Sequence, residues 1–429
     1  MNDNNVNKRS VDKHANLRDL GLYIHIPFCV KKCEYCDFLS APADQETKRL
    51  YIEALLTEIR SYEGRTGEYI VPSIFIGGGT PSSIDESFIA DIMEAINEVF
   101  IIDQERLEAT IEVNPGTLTK DKLETYLKSG LNRLSFGLQS TDNEELKLLG
   151  RIHTFEQFMQ NFTLAREVGF HNINIDLMSA LPGQTLSSWE KTLSDVIKLN
   201  PEHISAYSLI IEEGTPFYDR YQPDSIGYRD LPDEDVDRRM YRRTKEILRK
   251  NGYQRYEISN YAKKGFESRH NSSYWTGMEY LGLGLGASSL LDGARTKNMH
   301  DIKQYICKCK LYKSNLMERI NPSDIKRQIT GNEKPDTILK DCIGLREEQE
   351  HLTKEDQMEE YMFLGLRMCC GISIPAFCER FGIEINAVYG DAISRLVKDG
   401  LLVTLDDRIA LTDYGIDVSN VVLSEFLLD

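Results

Sequence analysis

Hydrophobic and polar positions alternate along the first half of the chain in a regular way. Short β-branched and aromatic runs at 21–27, 72–77, 108–114, 133–139, 172–178 and 203–209 read as strands. Amphipathic stretches near 45–63, 84–100, 119–129, 142–168 and 185–199 fall between them and read as helices. Strands separated by helices of this length are βαβ units, and such units build a parallel sheet. No dinucleotide-binding glycine fingerprint follows the first strand, which favours a barrel-like (β/α) arrangement over a doubly wound one.

Within the strands one face is apolar and the other polar. Leu22, Ile24 and Ile26 alternate with Tyr23 and His25, and Ile111 and Val113 with Thr110, Glu112 and Asn114. Leu134, Phe136 and Leu138 oppose Ser135 and Gln139, and Ile173, Ile175 and Leu177 oppose Asn172, Asn174 and Asp176. The interior of a filled barrel would be apolar on both strand faces. A polar face belongs either to solvent or to a hydrated lumen. Helices cover the outside of a parallel sheet, so the polar face is expected inward, where it makes a ligand cavity.

The pattern divides the chain into a polar arm at 1–20, a (β/α) barrel at 21–262, a connecting region at 263–350 and a C-terminal unit at 351–429. The connecting region is first aromatic and Gly-rich, then carries a polar insertion, NPSDIKRQITGNEKPD. The last unit shows helical patterns at 353–370, 373–381 and 386–399, then two alternating runs joined by Asp406-Asp407. Helices followed by a hairpin suggest an α+β, winged-helix-like domain. Residues 346–429 hold seven Lys and Arg against seventeen Asp and Glu, the wrong sign for nucleic-acid binding. The whole chain, at a formal charge of −17, argues the same way. The apolar run YLGLGLGASSLL at 280–291 is shorter than the roughly 20 residues a membrane helix needs. The N-terminal stretch lacks the apolar core of a signal peptide. A cytoplasmic protein is expected, in which cysteines serve metal or redox chemistry more readily than disulfides, with peripheral membrane contact left open.

Cys29, Cys33 and Cys36 form CVKKCEYC directly after the first strand. Three thiolates in one short loop hold three corners of a compact metal centre. A closed zinc site would need a fourth ligand such as His25, whereas a 4Fe-4S cluster on three thiolates keeps one iron open. Gly77, Gly78 and Gly79 end the second strand, where absent Cβ atoms allow close backbone approach to a ligand or simply make a tight turn.

The C-x3-C-x2-C spacing resembles the radical S-adenosylmethionine superfamily, and LYIHIPFCVKKCEYCDF resembles its coproporphyrinogen-oxidase-like branch. GGGTPSS, EVNPG, SFGLQS, LGRIH and DLMSALPGQT follow in the order of that branch. HNSSYW at 270–275 is similar to the mark of the HemW-type heme chaperones within it. The resemblance covers nearly the whole chain and implies a partial (β/α)6, TIM-like barrel. It implies a 4Fe-4S cluster on Cys29, Cys33 and Cys36, whose open iron chelates S-adenosylmethionine and whose electron cleaves a C–S bond of it. It also implies S-adenosylmethionine contacts from Tyr23, the Tyr35 backbone, Gly78, Gly79, Thr80, Glu112, Gln139, Arg151 and Asp176. Glu112 and Asp176 have an alternative part as salt-bridge partners of Arg133 or Arg151.

The same resemblance implies heme, with His270 as an iron ligand and Tyr274 and Trp275 flanking the porphyrin. The alternative has His270 capping a turn and the aromatics filling an interface beneath the barrel. Implied partners are apo-hemoproteins such as respiratory cytochromes and an electron donor such as flavodoxin or ferredoxin. Coproporphyrinogen oxidases of this branch carry a further Cys two residues after the third ligand, where this chain has Phe38, and have a longer N-terminal segment. Oxygen-independent decarboxylation of coproporphyrinogen III is therefore the second reading. A radical enzyme acting on RNA or another substrate is the third, opposed by the acidic charge. Cys307, Cys309, Cys369 and Cys370 read as reduced spare thiols, with thiolate ligation as the alternative.

Overall fold

The computed structural model describes residues 17–319 and 339–428. Its centre is six parallel strands: β1 (Arg18–Ile26), β2 (Tyr69–Gly78), β3 (Glu108–Val113), β4 (Arg133–Gln139), β5 (Ile173–Ser179) and β6 (His203–Ser208). Between them run α1 (Gln45–Arg60), α2 (Glu86–Val99), α3 (Lys120–Lys128), α4 (Asn143–Leu148), α5 (Phe155–Val168) and α6 (Leu186–Lys198). After β6 come α7 (Pro216–Tyr221), α8 (Glu234–Lys250), and two short strands, β7 (Gln254–Arg255) and β8 (Asn260–Ala262). Of the arm expected at 1–20, residues 1–16 lie outside the described residues, and Arg18 and Asp19 already pair with β2.

The apolar strand positions are fully buried against the helices. Leu22, Ile24, Ile26, Ile111, Leu134, Phe136, Ile173 and Ile175 each have essentially no exposed surface. At roughly 1.5–3 kcal/mol for each large apolar side chain buried, this outer layer dominates the favourable side of folding, and it fixes the register that turns the polar face inward. Local signals place the helices. Thr154 and Gln157 form a capping box, and Gly169 closes α5 in the left-handed region. The single helix expected over 142–168 is two, because Gly150 takes a positive φ of 75° and turns Arg151 toward the interior.

The region after 262 continues the same sheet. After α9 (Arg269–Trp275) come β9 (Tyr280–Leu283), β10 (Ser288–Leu291), β11 (Ala294–Asn298), α10 (Ile302–Arg319) and β12 (Arg346–His351). β9 pairs parallel with β1, and the strand order is β12-β11-β10-β9-β1-β2-β3-β4-β5-β6-β8-β7, an unclosed sheet. The barrel is therefore partial, with its two outer ends antiparallel. Residues 320–338 of the polar insertion lie outside the described residues.

α11 (Lys354–Gly365), β13 (Ile372–Ser373), α12 (Ile374–Phe381), α13 (Ile385–Lys398), β14 (Leu402–Leu405), β15 (Arg408–Leu411), α14 (Asp413–Asp417) and α15 (Ser419–Ser424) form the C-terminal unit. Its helices and small β13-β15-β14 antiparallel sheet enclose a second apolar core that includes Met362, Phe377, Tyr389, Ile409 and Phe426. Met368 bridges to Glu257, Cys369 N donates to Tyr256 O at 2.9 Å, and Arg255 meets Asp413 at 2.9 Å, so the unit is seated on the barrel. No described helix is long and apolar enough to cross a membrane.

One buried carboxyl ties the added strands to the barrel. Glu58 of α1 is 2% exposed and accepts from Gly284 N (2.8 Å), Asn298 Nδ2 (2.7 Å) and Tyr305 Oη (2.5 Å). Burial overrides these donors and pushes its pKa from 4.5 up to about 7. The folded chain then holds this proton to a higher pH than the unfolded chain, so the stability it confers is present at low pH and is lost as pH rises through this window. Glu58→Gln is expected to flatten the fall in thermal stability between pH 4.5 and 7 relative to the parent chain. The difference should be on the order of 3 kcal/mol across the window, read by calorimetry at several pH values; parallel pH profiles for the two proteins would refute it.

Candidate functional site

β1 runs directly into the loop bearing Cys29, Cys33 and Cys36, all three with free thiols. Backbone bonds pin this loop from several elements. Cys29 N donates to Ala41 O (3.2 Å), Glu34 N to Leu149 O (3.0 Å), and Phe217 N to Glu34 O (2.9 Å). The Glu34 carboxylate meets Arg220 at 2.8 Å. Two side chains reach the sulfurs themselves: Thr80 Oγ1 donates to Cys29 Sγ and Arg151 Nη1 to Cys33 Sγ, each at 3.5 Å.

The glycines at the end of β2 allow this packing. Gly79 N donates to Ile26 O (2.9 Å) and Thr80 N to Phe28 O (2.7 Å). A Cβ on Gly79 would stand 2.7 Å from Phe28 O, and one on Gly78 would stand 2.5 Å from the His25 ring. Gly78 also has a φ of 110°, open to glycine and strained for other residues.

Beside the loop lies a cavity of about 600 Å³, within the range of small-molecule sites. The three cysteines line it together with Tyr35, Gly78, Gly79, Thr80, Glu112, Gln139, Arg151 and Asp176. The inward turn of the polar strand faces thus brings together all but one of the residues expected at the cluster and S-adenosylmethionine sites. Tyr23 is the exception: its hydroxyl bonds to His25 Nδ1 (2.9 Å), its ring stacks on Phe75, and it stands behind the lining. Gln139 has a φ of 76° at a register shift between β4 and β5. That bulge re-aims its amide, which accepts from Tyr207 Oη at 3.2 Å.

The electrostatics are those of buried charges without direct ion pairs. Glu112 accepts from Gly78 N at 3.0 Å, and burial together with nearby Asp176 pushes its pKa up to about 8. Burial also raises the pKa of Asp176, against hydrogen bonds from Asn174 and Ser135. Among the described residues neither carboxyl lies within 4.0 Å of an Arg or Lys nitrogen, so the expected alternative of a salt bridge to Arg133 or Arg151 is not realised. Arg151 donates to Asn114 Oδ1 and Gly137 O, while its Nε is buried without a partner. Arg133, 1% exposed, bonds weakly to Thr110 Oγ1 (3.5 Å), and its Nε is also unpartnered. Such a set has an acceptor for an ammonium group and unused donors for a carboxylate, as the amino-acid end of S-adenosylmethionine requires.

The donor chemistry also fits a cluster on three thiolates. Three unlinked sulfurs lie on one cavity wall, and no histidine joins that lining. His25, the alternative fourth zinc ligand, spends Nδ1 on Tyr23 and Nε2 on Leu39 O (2.9 Å).

His270 lies inside the fold. It is 1% exposed, with Nδ1 on Ser73 Oγ (3.1 Å) and Nε2 on Tyr274 Oη (2.9 Å). Its ring stacks on Phe75, and burial lowers its pKa to about 3. Both ring nitrogens are engaged, and the ring stands as a buried brace at the N-terminal ends of the strands. Glu108 fixes that end of α9 by accepting from Arg269 N and His270 N (both 3.1 Å).

Asn114, Arg133, Asn174, Ser205, Tyr207 and Asn260 also line the cavity, and none of them was expected as a cofactor contact. Asn114, Asn174 and the Ser205–Tyr207 alternation lay on polar strand faces and carried that signal. Arg133 was expected only as a salt-bridge partner of Glu112 or Asp176, because an Arg opening a strand otherwise reads as a surface residue.

Residues 23–196 match the family model of the radical SAM superfamily, and residues 352–418 match that of the HemN C-terminal domain. The chain is 36% identical over 410 residues to the protein of Bacillus subtilis (strain 168) named "Heme chaperone HemW", covering 94% of this chain and 98% of that one. It is 37% identical over 408 residues to the protein of the same name from Lactococcus lactis, covering 95% and 97%. In structure it resembles coproporphyrinogen III oxidase (HemN) from Escherichia coli, a radical SAM enzyme, with a TM-score of 0.73 and 24% identity over 96% of this chain and 92% of that one.

Gly79→Ala is expected to displace Phe28 and with it the cysteine loop. Overpacking of this kind costs about 1–3 kcal/mol. Anaerobic reconstitution should then yield far less bound iron and sulfide than in the parent chain. Unchanged iron, sulfide and melting temperature in Gly79→Ala would show that the close approach is not required.

Proposed function

The chain belongs to the HemW family of the radical S-adenosylmethionine superfamily, and from that premise we propose that it is a heme chaperone. It binds a 4Fe-4S cluster, S-adenosylmethionine and heme, and passes heme to apo-hemoproteins such as respiratory cytochromes. Cys29, Cys33 and Cys36 would hold the cluster, which when bound and reduced supplies an electron to the sulfonium. Glu112 would accept from the amino group of S-adenosylmethionine. Arg151 would donate its free Nε to the carboxylate. Gly78, Gly79 and Thr80 would present backbone along the methionine, Gln139 and Asp176 would meet the ribose, and Tyr35 would meet the adenine. Tyr23 would act from behind, through the Phe75 and His25 rings. A small redox protein of the flavodoxin or ferredoxin kind would be the electron donor, and the cytoplasm the setting.

The observation that carries the chaperone reading over an oxidase is Phe38. It stands on the cavity rim, 63% exposed, at the position where the oxidases of this branch carry a further cysteine. A phenyl ring offers neither the proton nor the sulfur that a thiol would supply beside a substrate. Full-length similarity to relatives named as heme chaperones supports the same reading.

The test is a paired assay on reconstituted, oxygen-protected protein. Loaded with heme, it should transfer the heme to an apo-cytochrome, measured by recovery of the cytochrome spectrum. Given coproporphyrinogen III, reductant and S-adenosylmethionine, it should form no protoporphyrinogen IX. Formation of protoporphyrinogen without heme transfer would replace the chaperone with the oxidase.

A further inference from the structure

Beyond the lumen the chain holds a second cavity, a groove of about 320 Å³ where the C-terminal unit meets the barrel. Its walls are mainly apolar, from Trp275, Leu290, Leu352, Leu364, Met368 and Ile372. Its rim carries charges of both signs. Glu360 is paired with Arg295 at 2.7 Å, and Glu279 shares Arg18 (3.2 Å) with Asp292 (2.9 Å). Arg380 and Arg408 also line the groove, and neither has a carboxylate within 4.0 Å among the described residues. Two uncompensated cations therefore face an apolar slot within an acidic unit.

The remaining wall is sulfur and aromatic. Trp275 is sandwiched on one side by Arg367, 4.4 Å from its ring, and its Nε1 is buried without a partner. Cys370 is a free, exposed thiol in the groove, and Arg408 Nη2 lies 3.5 Å from its sulfur. Arg408 itself is fixed by the carbonyls of Cys370 (2.7 Å) and Gly371 (2.6 Å). A guanidinium in that position complements the negative charge of a ligating thiolate. The adjacent Cys369 is absent from the groove lining.

One helix connects the two cavities. Asn271 of α9 lines the lumen and Trp275, one turn later, lines the groove. Of the HNSSYW segment, then, the tryptophan is offered to a ligand while His270 is held by Ser73 and Tyr274.

We propose that this groove is the seat of the heme. A planar, apolar ring with one metal and two carboxylates matches a slot with an aromatic wall, one thiol and two unpaired arginines. Trp275 packs on the porphyrin, Arg380 and Arg408 receive the propionates, and Cys370 ligates the iron, as thiolates do in one class of heme site. The proposal rests on the heme-chaperone reading above and adds the location and the ligand.

The test titrates the full chain with hemin and with hemin dimethyl ester, following the Soret band and tryptophan fluorescence. The parent chain should bind hemin and quench fluorescence. Cys370→Ser should shift the Soret band. Arg380→Ala should weaken hemin about tenfold, the usual loss for one charge-assisted bond, with little effect on the ester. Far-UV circular dichroism and iron–sulfide content matching the parent would show that the variants fold. If the parent binds hemin but Cys370→Ser and Arg380→Ala leave spectrum and affinity unchanged, the groove is not the seat while the chaperone reading stands. If the parent binds no hemin, that reading fails and this proposal with it.

Discussion

The structure depends on the closeness of two backbones: the end of β2 and the loop leaving β1. Gly79 N and Thr80 N donate into that loop, and no side chain larger than hydrogen fits at Gly79 against Phe28 O. The contact fixes where Cys29 stands, and Thr80 then reaches its sulfur from the same turn. Glu34, bonded to Leu149 and Phe217, carries the constraint to the turn after α4 and the first turn of α7. Three thiols are thereby held at the mouth of a polar lumen by elements distant in sequence. Positioning of this kind comes from the strands and their first turns, which is why carboxyl ends of barrel strands host chemistry.

Among the described residues, the lumen carries titratable groups that the fold leaves without ion pairs. Glu112 and Asp176 are held toward their protonated forms, while Arg133 and Arg151 keep unpartnered Nε atoms. Buried polar groups are normally satisfied, so this set is complete only with a ligand that brings both signs. The groove under the C-terminal unit has a different character, apolar with paired carboxylates and unpaired arginines. The two sites therefore select different chemistry, and α9 stands between them.

Much of this was legible in the sequence. β4 was expected over the range observed, and the alternation of Ile111, Glu112 and Val113 or Ile175, Asp176 and Leu177 correctly separated the helix-facing side from the lumen. The cysteine spacing and its place after β1 identified the loop. Other features depend on context that no local pattern holds. α8 is strongly charged, and its burial rests on Met240, Thr244 and Leu248, with Thr244 accepting from Trp189 Nε1 at 2.8 Å. The strands β9–β12 are short, and β12 is largely charged, so strand periodicity is nearly silent there; they extend the sheet because β1 has a free edge. His270 shows what a motif leaves out: Tyr274 lies one turn on in the same helix, but Ser73, which meets the other ring nitrogen, comes from a strand that only the fold brings to it.

The central claim is that three thiolates hold a cluster with one iron left open beside the Arg151 and Glu112 end of the lumen. The most direct measurement is electron paramagnetic resonance of anaerobically reconstituted, reduced protein with and without S-adenosylmethionine. The expected result is a reduced 4Fe-4S signal that changes on adding S-adenosylmethionine, since a ligand reaches the open iron. A protein that holds only zinc or no metal, or a cluster signal indifferent to saturating S-adenosylmethionine, would contradict it.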